Sequence, residues 1–161
     1  MSVAVRAAAR GDLETVRALF TEYARAPRSE ALFGRYLAQQ DFTGELANLP
    51  GEYSPPLGAL LLAEHGGVVI GCVALKPLEP PTVCEMKRLF VRPDGRGLGA
   101  GHALVAGILA AGRDAGYSTM RLDCLPSMHD AQRLYRALGF YEIAPYNSNP
   151  IEGSLYFERS L

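Results

Sequence analysis

The chain has 161 residues, a size that supports one domain with a single core. Its make-up, 48% hydrophobic and 20% charged, excludes a disordered polymer. A net charge of −1 excludes a general pull toward nucleic acid or anionic membrane, so neither partner is expected and any anion site must be local.

The opening residues MSVAVRAAARGDLE lack the apolar core of a signal peptide, and the apolar run 57–63 is too short to span a bilayer. The chain therefore reads as a cytoplasmic protein. Cys72, Cys84 and Cys124 sit in apolar stretches without redox or metal-ligand spacing, and His65, His102 and His129 form no cluster with them. They read as buried thiols in a reducing compartment, and no metal is expected.

In chain order, residues 3–7 suggest a short strand. Asp12 is placed to cap a helix bearing Leu13, Val16, Phe20 and Tyr23 on one face. Pro27 ends it. A second helical stretch, 30–40, carries Phe33, Tyr36 and Leu37, and Asp41 opens a short third piece that Pro50-Gly51 terminates. Residues 57–63 and 68–75 flank His65-Gly66-Gly67, a hairpin signal, and 82–91 follows as a strand. The period then changes to 3.6: a helix over 99–115, a strand over 119–124, and a helix capped by Asp130 that bears Ala131, Leu134, Tyr135 and Leu138. Residues 140–143 and 154–161 close the chain as strands. This order implies an α/β or α+β architecture with a mixed sheet.

The chemistry concentrates between Val91 and the long helix, in Arg92-Pro93-Asp94-Gly95-Arg96-Gly97-Leu98-Gly99-Ala100-Gly101-His102. Glycine at alternate positions lets backbone approach a ligand, and the first amides of a helix have no internal partner. A strand, a glycine loop and a helix N-terminus together suit phosphate or pyrophosphate, with Arg96 as a cation at the rim. A dinucleotide fingerprint is disfavoured, although Asp123 ends the next strand where a ribose-binding acid would stand. Gly97 and Gly99 are followed by His102 where that motif needs Gly. A phosphate loop with Gly-Lys-Ser/Thr is absent.

Arg96-x-x-Gly99-x-Gly101, after a strand ending Leu89-Phe90-Val91, resembles the acetyl-CoA-binding motif of the GNAT N-acetyltransferase superfamily. The run 131–140, AQRLYRALGF, resembles that superfamily's late helix, tyrosine and Gly-Phe strand start. The resemblance implies a central mixed sheet of six or seven strands flanked by about four helices and splayed beside the coenzyme-binding strand. It implies acetyl transfer from acetyl-CoA to the primary amine of a small molecule, and allows a homodimer. By the same resemblance Leu89, Phe90 and Val91 hold the pantetheine arm, while the segment Arg96, Gly97, Leu98, Gly99, Ala100, Gly101 and His102 holds the pyrophosphate.

In that family Tyr135 falls at the position of the general acid beside the coenzyme sulfur. Glu85, on the strand passing the thioester, is the candidate general base, with an ion pair to a neighbouring Lys or Arg as its alternative. Alternation puts Glu85, Lys87, Leu89 and Val91 on one face of that strand, unless a bulge intervenes. Met128 stands where many members carry Asn, so Ser127 or Asp130 is left to cap the late helix. The acceptor pocket is expected between the early helices and the final hairpin, lined by Phe33, Tyr36, Arg88, Tyr146 and Asn147. Arg88 with Lys87 would there favour an acceptor carrying a carboxylate. A coenzyme-binding domain without catalysis and a dinucleotide-dependent oxidoreductase are the competing functions.

Overall fold

A computed structural model describes residues 2–161. Seven strands form one sheet in the order β1-β2-β3-β4-β5-β7-β6: β1 (Ala4–Ala7), β2 (Ala59–His65), β3 (Val68–Pro77), β4 (Val83–Val91), β5 (Thr119–Cys124), β6 (Tyr141–Ile143) and β7 (Leu155–Ser160). Every neighbouring pair is antiparallel except β4 and β5. Five α-helices complete the fold: α1 (Leu13–Arg25), α2 (Phe33–Gln39), α3 (Phe42–Ala47), α4 (Ala100–Asp114) and α5 (His129–Ala137).

Strand alternation gives the sheet two apolar faces, and each is covered. Leu104, Ile108 and Tyr135 of α4 and α5 pack with Val73, Leu75, Met120 and Phe157. Val16, Phe20, Phe33 and Leu37 of α1 and α2 pack with Leu62, Cys72, Ala74 and Phe90. The three thiols are all buried in this core and free. Burial pushes each thiol up to about 12, far from the thiolate form that reacts. Native protein should therefore resist iodoacetamide while urea-unfolded protein labels at all three; rapid native labelling would contradict this burial.

Two expected caps take other roles. Asp12 accepts the Ala9 N–H at 2.7 Å and pairs with Arg6, so it holds the turn before α1 and makes no side-chain cap to the helix. Neither candidate caps α5: Asp130 pairs with Arg133, and the Ser127 hydroxyl donates to Glu30 at 2.7 Å.

The decisive irregularity lies in β4. Against β3, Cys72 pairs with Phe90 but Ala74 pairs with Lys87, so β4 carries one extra residue there. Arg88 absorbs it with a φ of 60°, in the left-handed region that a non-glycine residue enters only under constraint. The expected alternation ends at this bulge. Leu89 and Val91 pack on the α4–α5 side together with Cys84 and Met86, and Phe90 turns to the α1–α2 side.

Candidate active site

The parallel pairing of β4 with β5 covers only Val83↔Thr119 to Glu85↔Arg121. Beyond that point β5 stays with β7, pairing Asp123 with Tyr156 and Cys124 with Leu155, and β4 stays with β3. A wedge opens between the two central strands. Leu89, Asp123, Cys124, Met128 and Tyr135 are among the residues that line it.

Along the β4 wall the backbone has a definite sense. The Arg92 N–H donates to the Ile70 carbonyl of β3 at 2.8 Å, so by alternation the Val91 N–H and C=O point away from β3 toward the wedge, and those of Phe90 point to β3. Phe90 therefore offers its main chain to the sheet, which corrects its expected place among the ligand-holding groups. The Val91 carbonyl accepts from Arg96 Nε at 3.1 Å. Arg96 thus ties the loop back to the strand.

The glycine loop leaves β4 through a single helical turn, Pro93–Gly95, and enters α4 at Gly99. A Cβ on Gly95 would lie 2.8 Å from the Ile70 side chain, so packing against β3 demands glycine there. Gly97 and Gly99 both have φ of 81° with no atom near a notional Cβ, so their backbone is left-handed and open to approach. Gly101 faces Leu134 of α5 at 3.4 Å, where a small residue lets the two helices meet. The amides of residues 97–102 have no backbone acceptor among the described residues. They form an exposed row of donors at the positive end of a fifteen-residue helix. Leu98 and His102 are exposed on this row, and Ala100 is buried beneath it.

Tyr135 lies deep, 6% exposed, with its ring edge-on to Phe140 at 5.8 Å and tilted on Phe157 at 6.0 Å. Its hydroxyl has no hydrogen-bond partner among the described residues. Desolvation raises its pKa well above the phenol value, with the neighbouring Cys124 adding to the effect, so it stays protonated.

Glu85 is 3% exposed. Its Oε2 accepts from the Tyr146 hydroxyl at 2.6 Å and its Oε1 lies 3.8 Å from Lys87 Nζ. Burial lowers the Lys87 pKa, while Glu85 pulls it back up. Lys87 also donates to Gln40 at 2.6 Å. Across the wedge, the Tyr36 hydroxyl meets both oxygens of Asp123, at 2.9 and 2.8 Å, and Asn149 donates to Asp123 at 3.3 Å. Burial first, then the Asp123 charge, raises the pKa of Tyr36 far above its usual value.

A cavity of about 800 Å³ continues outward from Tyr36 and Lys87 toward α2, α3 and the loop after β6. Tyr146 and Asn147 line it. Phe33 does not. It is buried against Tyr36, ring centroids 5.9 Å apart, with the Arg28 guanidinium 3.9 Å from its centroid. Arg88 is also withdrawn: its guanidinium donates twice to Glu45, at 2.9 Å each, and to Gln40 at 3.1 Å. With Lys87 held as well, the expected cationic seat for an acceptor carboxylate is already occupied by the protein's own acids. Asp123 and Gln40 line these spaces although the motifs did not single them out, and only the position of Asp123 at a strand end hinted at it; Lys87 was expected there solely as a companion of Arg88.

Residues 13–140 match the family described as Acetyltransferase (GNAT) family. An uncharacterized N-acetyltransferase of Schizosaccharomyces pombe is 43% identical over 147 residues, covering 90% of this chain and 86% of the yeast protein. N-acetyltransferase family 8 member 2 of Rattus norvegicus is 35% identical over 106 residues, 63% of this chain and 47% of the rat protein, so the chain spans about half of that relative. In fold, it is similar to the phosphinothricin acetyltransferase of Sinorhizobium meliloti solved with AcCoA. The TM-score is 0.72 at 18% identity, with 100% of this chain and 89% of the other covered. The chain belongs to the GNAT acetyltransferase family.

Proposed function

We propose that the protein is an acetyl-CoA-dependent N-acetyltransferase acting on the primary amine of a small molecule. One observation carries the reading: β4 and β5 part after Glu85↔Arg121 and leave a wedge lined by Leu89 and by Tyr135 with its unpartnered hydroxyl, and β4, which walls that wedge, runs on into the row of unpartnered loop amides. The residues fit such a coenzyme. The side-chain-free backbone at Gly97 and Gly99 admits a pyrophosphate, and the Val91 N–H faces the wedge as a donor, its carbonyl being taken by Arg96.

Acetyl-CoA supplies the acetyl group as a thioester when bound. The Val91 N–H is placed to polarise a carbonyl in the wedge, as an oxyanion donor does. Glu85, shaped by Tyr146 and Lys87, accepts the proton that the amine nitrogen loses as the carbon–nitrogen bond forms. Tyr135, kept protonated by burial, delivers a proton to the sulfur as the carbon–sulfur bond breaks. The buried thiols take no part.

The coenzyme assignment is tested at Gly99. Asp tolerates left-handed backbone better than most residues, so Gly99→Asp should fold while setting a carboxylate against the pyrophosphate. Acetyl-CoA affinity should fall at least tenfold, about 1.4 kcal/mol, by calorimetry. Unchanged affinity in a folded variant would remove the loop from the site, and release of free CoA across an amine screen tests the activity itself.

A further inference from the structure

We propose that the acceptor is a dicationic amine, recruited as an ammonium by Asp123 in the wedge, giving up one proton to bulk water before the neutral nitrogen attacks and the second to Glu85 as the carbon–nitrogen bond forms, with its other charge held by Asp41 at the rim of the cavity. This rests on the acetyltransferase reading above and adds the chemical class of the acceptor.

The pairing of charges carries the argument. The cations lining the wedge and the cavity are Lys76, Lys87 and Arg88, and each already has an acid: Glu52 at 3.6 Å, Glu85 at 3.8 Å and Glu45 at 2.9 Å respectively. Two carboxylates on the same path are left with no ion pair among the described residues, Asp123 and Asp41. Asp123 is half-buried and is met only by the neutral donors Tyr36 and Asn149. A carboxylate drawn out of water without a cation is costly, and an incoming ammonium removes that cost. Asp41 is exposed, just past the end of α2, and accepts only the Gly44 N–H at 3.3 Å.

A second feature sets the inner end of the path beside the reacting thioester. The Tyr135 hydroxyl, on a side chain more than nine-tenths buried, opens without a partner into the wedge that Asp123 also lines. Tyr36 and Lys87 line both spaces, and Tyr36 also bonds Asp123, so the cavity and the wedge share a wall beside Asp123. An acceptor bearing a carboxylate would find no free cation on this route and would face two acids.

The test compares putrescine with γ-aminobutyrate, which share a carbon chain and differ in the second charged group. Putrescine should be acetylated with a kcat/KM at least tenfold higher, and n-butylamine, with no second charge, should fall between them. Asp123→Asn, nearly isosteric, should raise the KM for putrescine about tenfold with a smaller change in kcat and an unchanged calorimetric Kd for acetyl-CoA. Asp41→Asn should narrow the gap between putrescine and n-butylamine. The comparison on the parent protein needs no variant to fold. Equal or better use of γ-aminobutyrate would overturn the proposal. So would an unmoved KM in folded Asp123→Asn, or neither turnover nor calorimetric binding of putrescine by protein that binds acetyl-CoA. Failure of the parent protein to bind acetyl-CoA would instead remove the acetyltransferase reading and this one with it.

Discussion

Replacing Tyr135 by Phe is expected to lower kcat by roughly a hundred- to ten-thousand-fold, the range of general acid catalysis. The ring packs against Phe140 and Phe157, and Phe keeps those contacts. The hydroxyl has no protein partner, so its loss leaves no donor or acceptor stranded and the melting temperature should hold. Acetyl-CoA affinity should hold as well, since the loop amides are untouched. Because burial raises the Tyr135 pKa, the phenol remains a proton donor above the usual phenol range near pH 10. The alkaline limb of the parent's kcat profile should therefore lie high, and the Phe variant should lose it. A Phe variant with the parent's rate and profile would return Tyr135 to a packing role and leave direct departure of the thiolate as the mechanism.

Arg88→Ala is expected to destabilise the fold by about 3–5 kcal/mol, the cost of breaking a buried ion pair from one side. The Arg88 side chain is 1% exposed and its partner Glu45 is 17% exposed, so truncation leaves a largely desolvated carboxylate without its cation. Gln40 loses a donor in the same step. The guanidinium also lies 5.0 Å from the Phe42 ring centroid, so α3 loses that contact to the sheet along with the ion pair. Urea unfolding measures the loss. Arg88→Lys should recover only part of it, because an ammonium cannot make the two parallel bonds to Glu45. A destabilisation below 1 kcal/mol in Arg88→Ala would mean that the pair contributes little and that the bulge is held by the strand pairing alone.

The glycine loop proposed for the coenzyme was legible because it is local. Gly97 and Gly99 must adopt left-handed backbone, the helix after them must leave its first amides free, and both requirements are written in consecutive residues. The late helix was legible for the same reason, its apolar stripe carrying Tyr135 inward against Phe140 and Phe157. The mixed sheet followed from the order of elements, and the family motifs supplied its splay.

The end proposed for the acceptor is assembled across the chain, and there local pattern was a poor guide. Period-two alternation placed Leu89 and Val91 with Glu85, yet one extra residue at Arg88 turned them to the opposite face. No run of β4 side chains announces that residue, because the bulge exists only relative to the register of β3. Arg88 looked available for a substrate carboxylate until Glu45, 43 positions earlier, closed on it. Glu85 acquired Tyr146 from 61 positions later, and Asp123 acquired Tyr36 from 87 positions earlier. Backbone conformation and helical period are short-range properties that a segment carries with it. Which acids keep a cation and which are left to attract one is decided only when distant segments meet in a medium that no longer screens them.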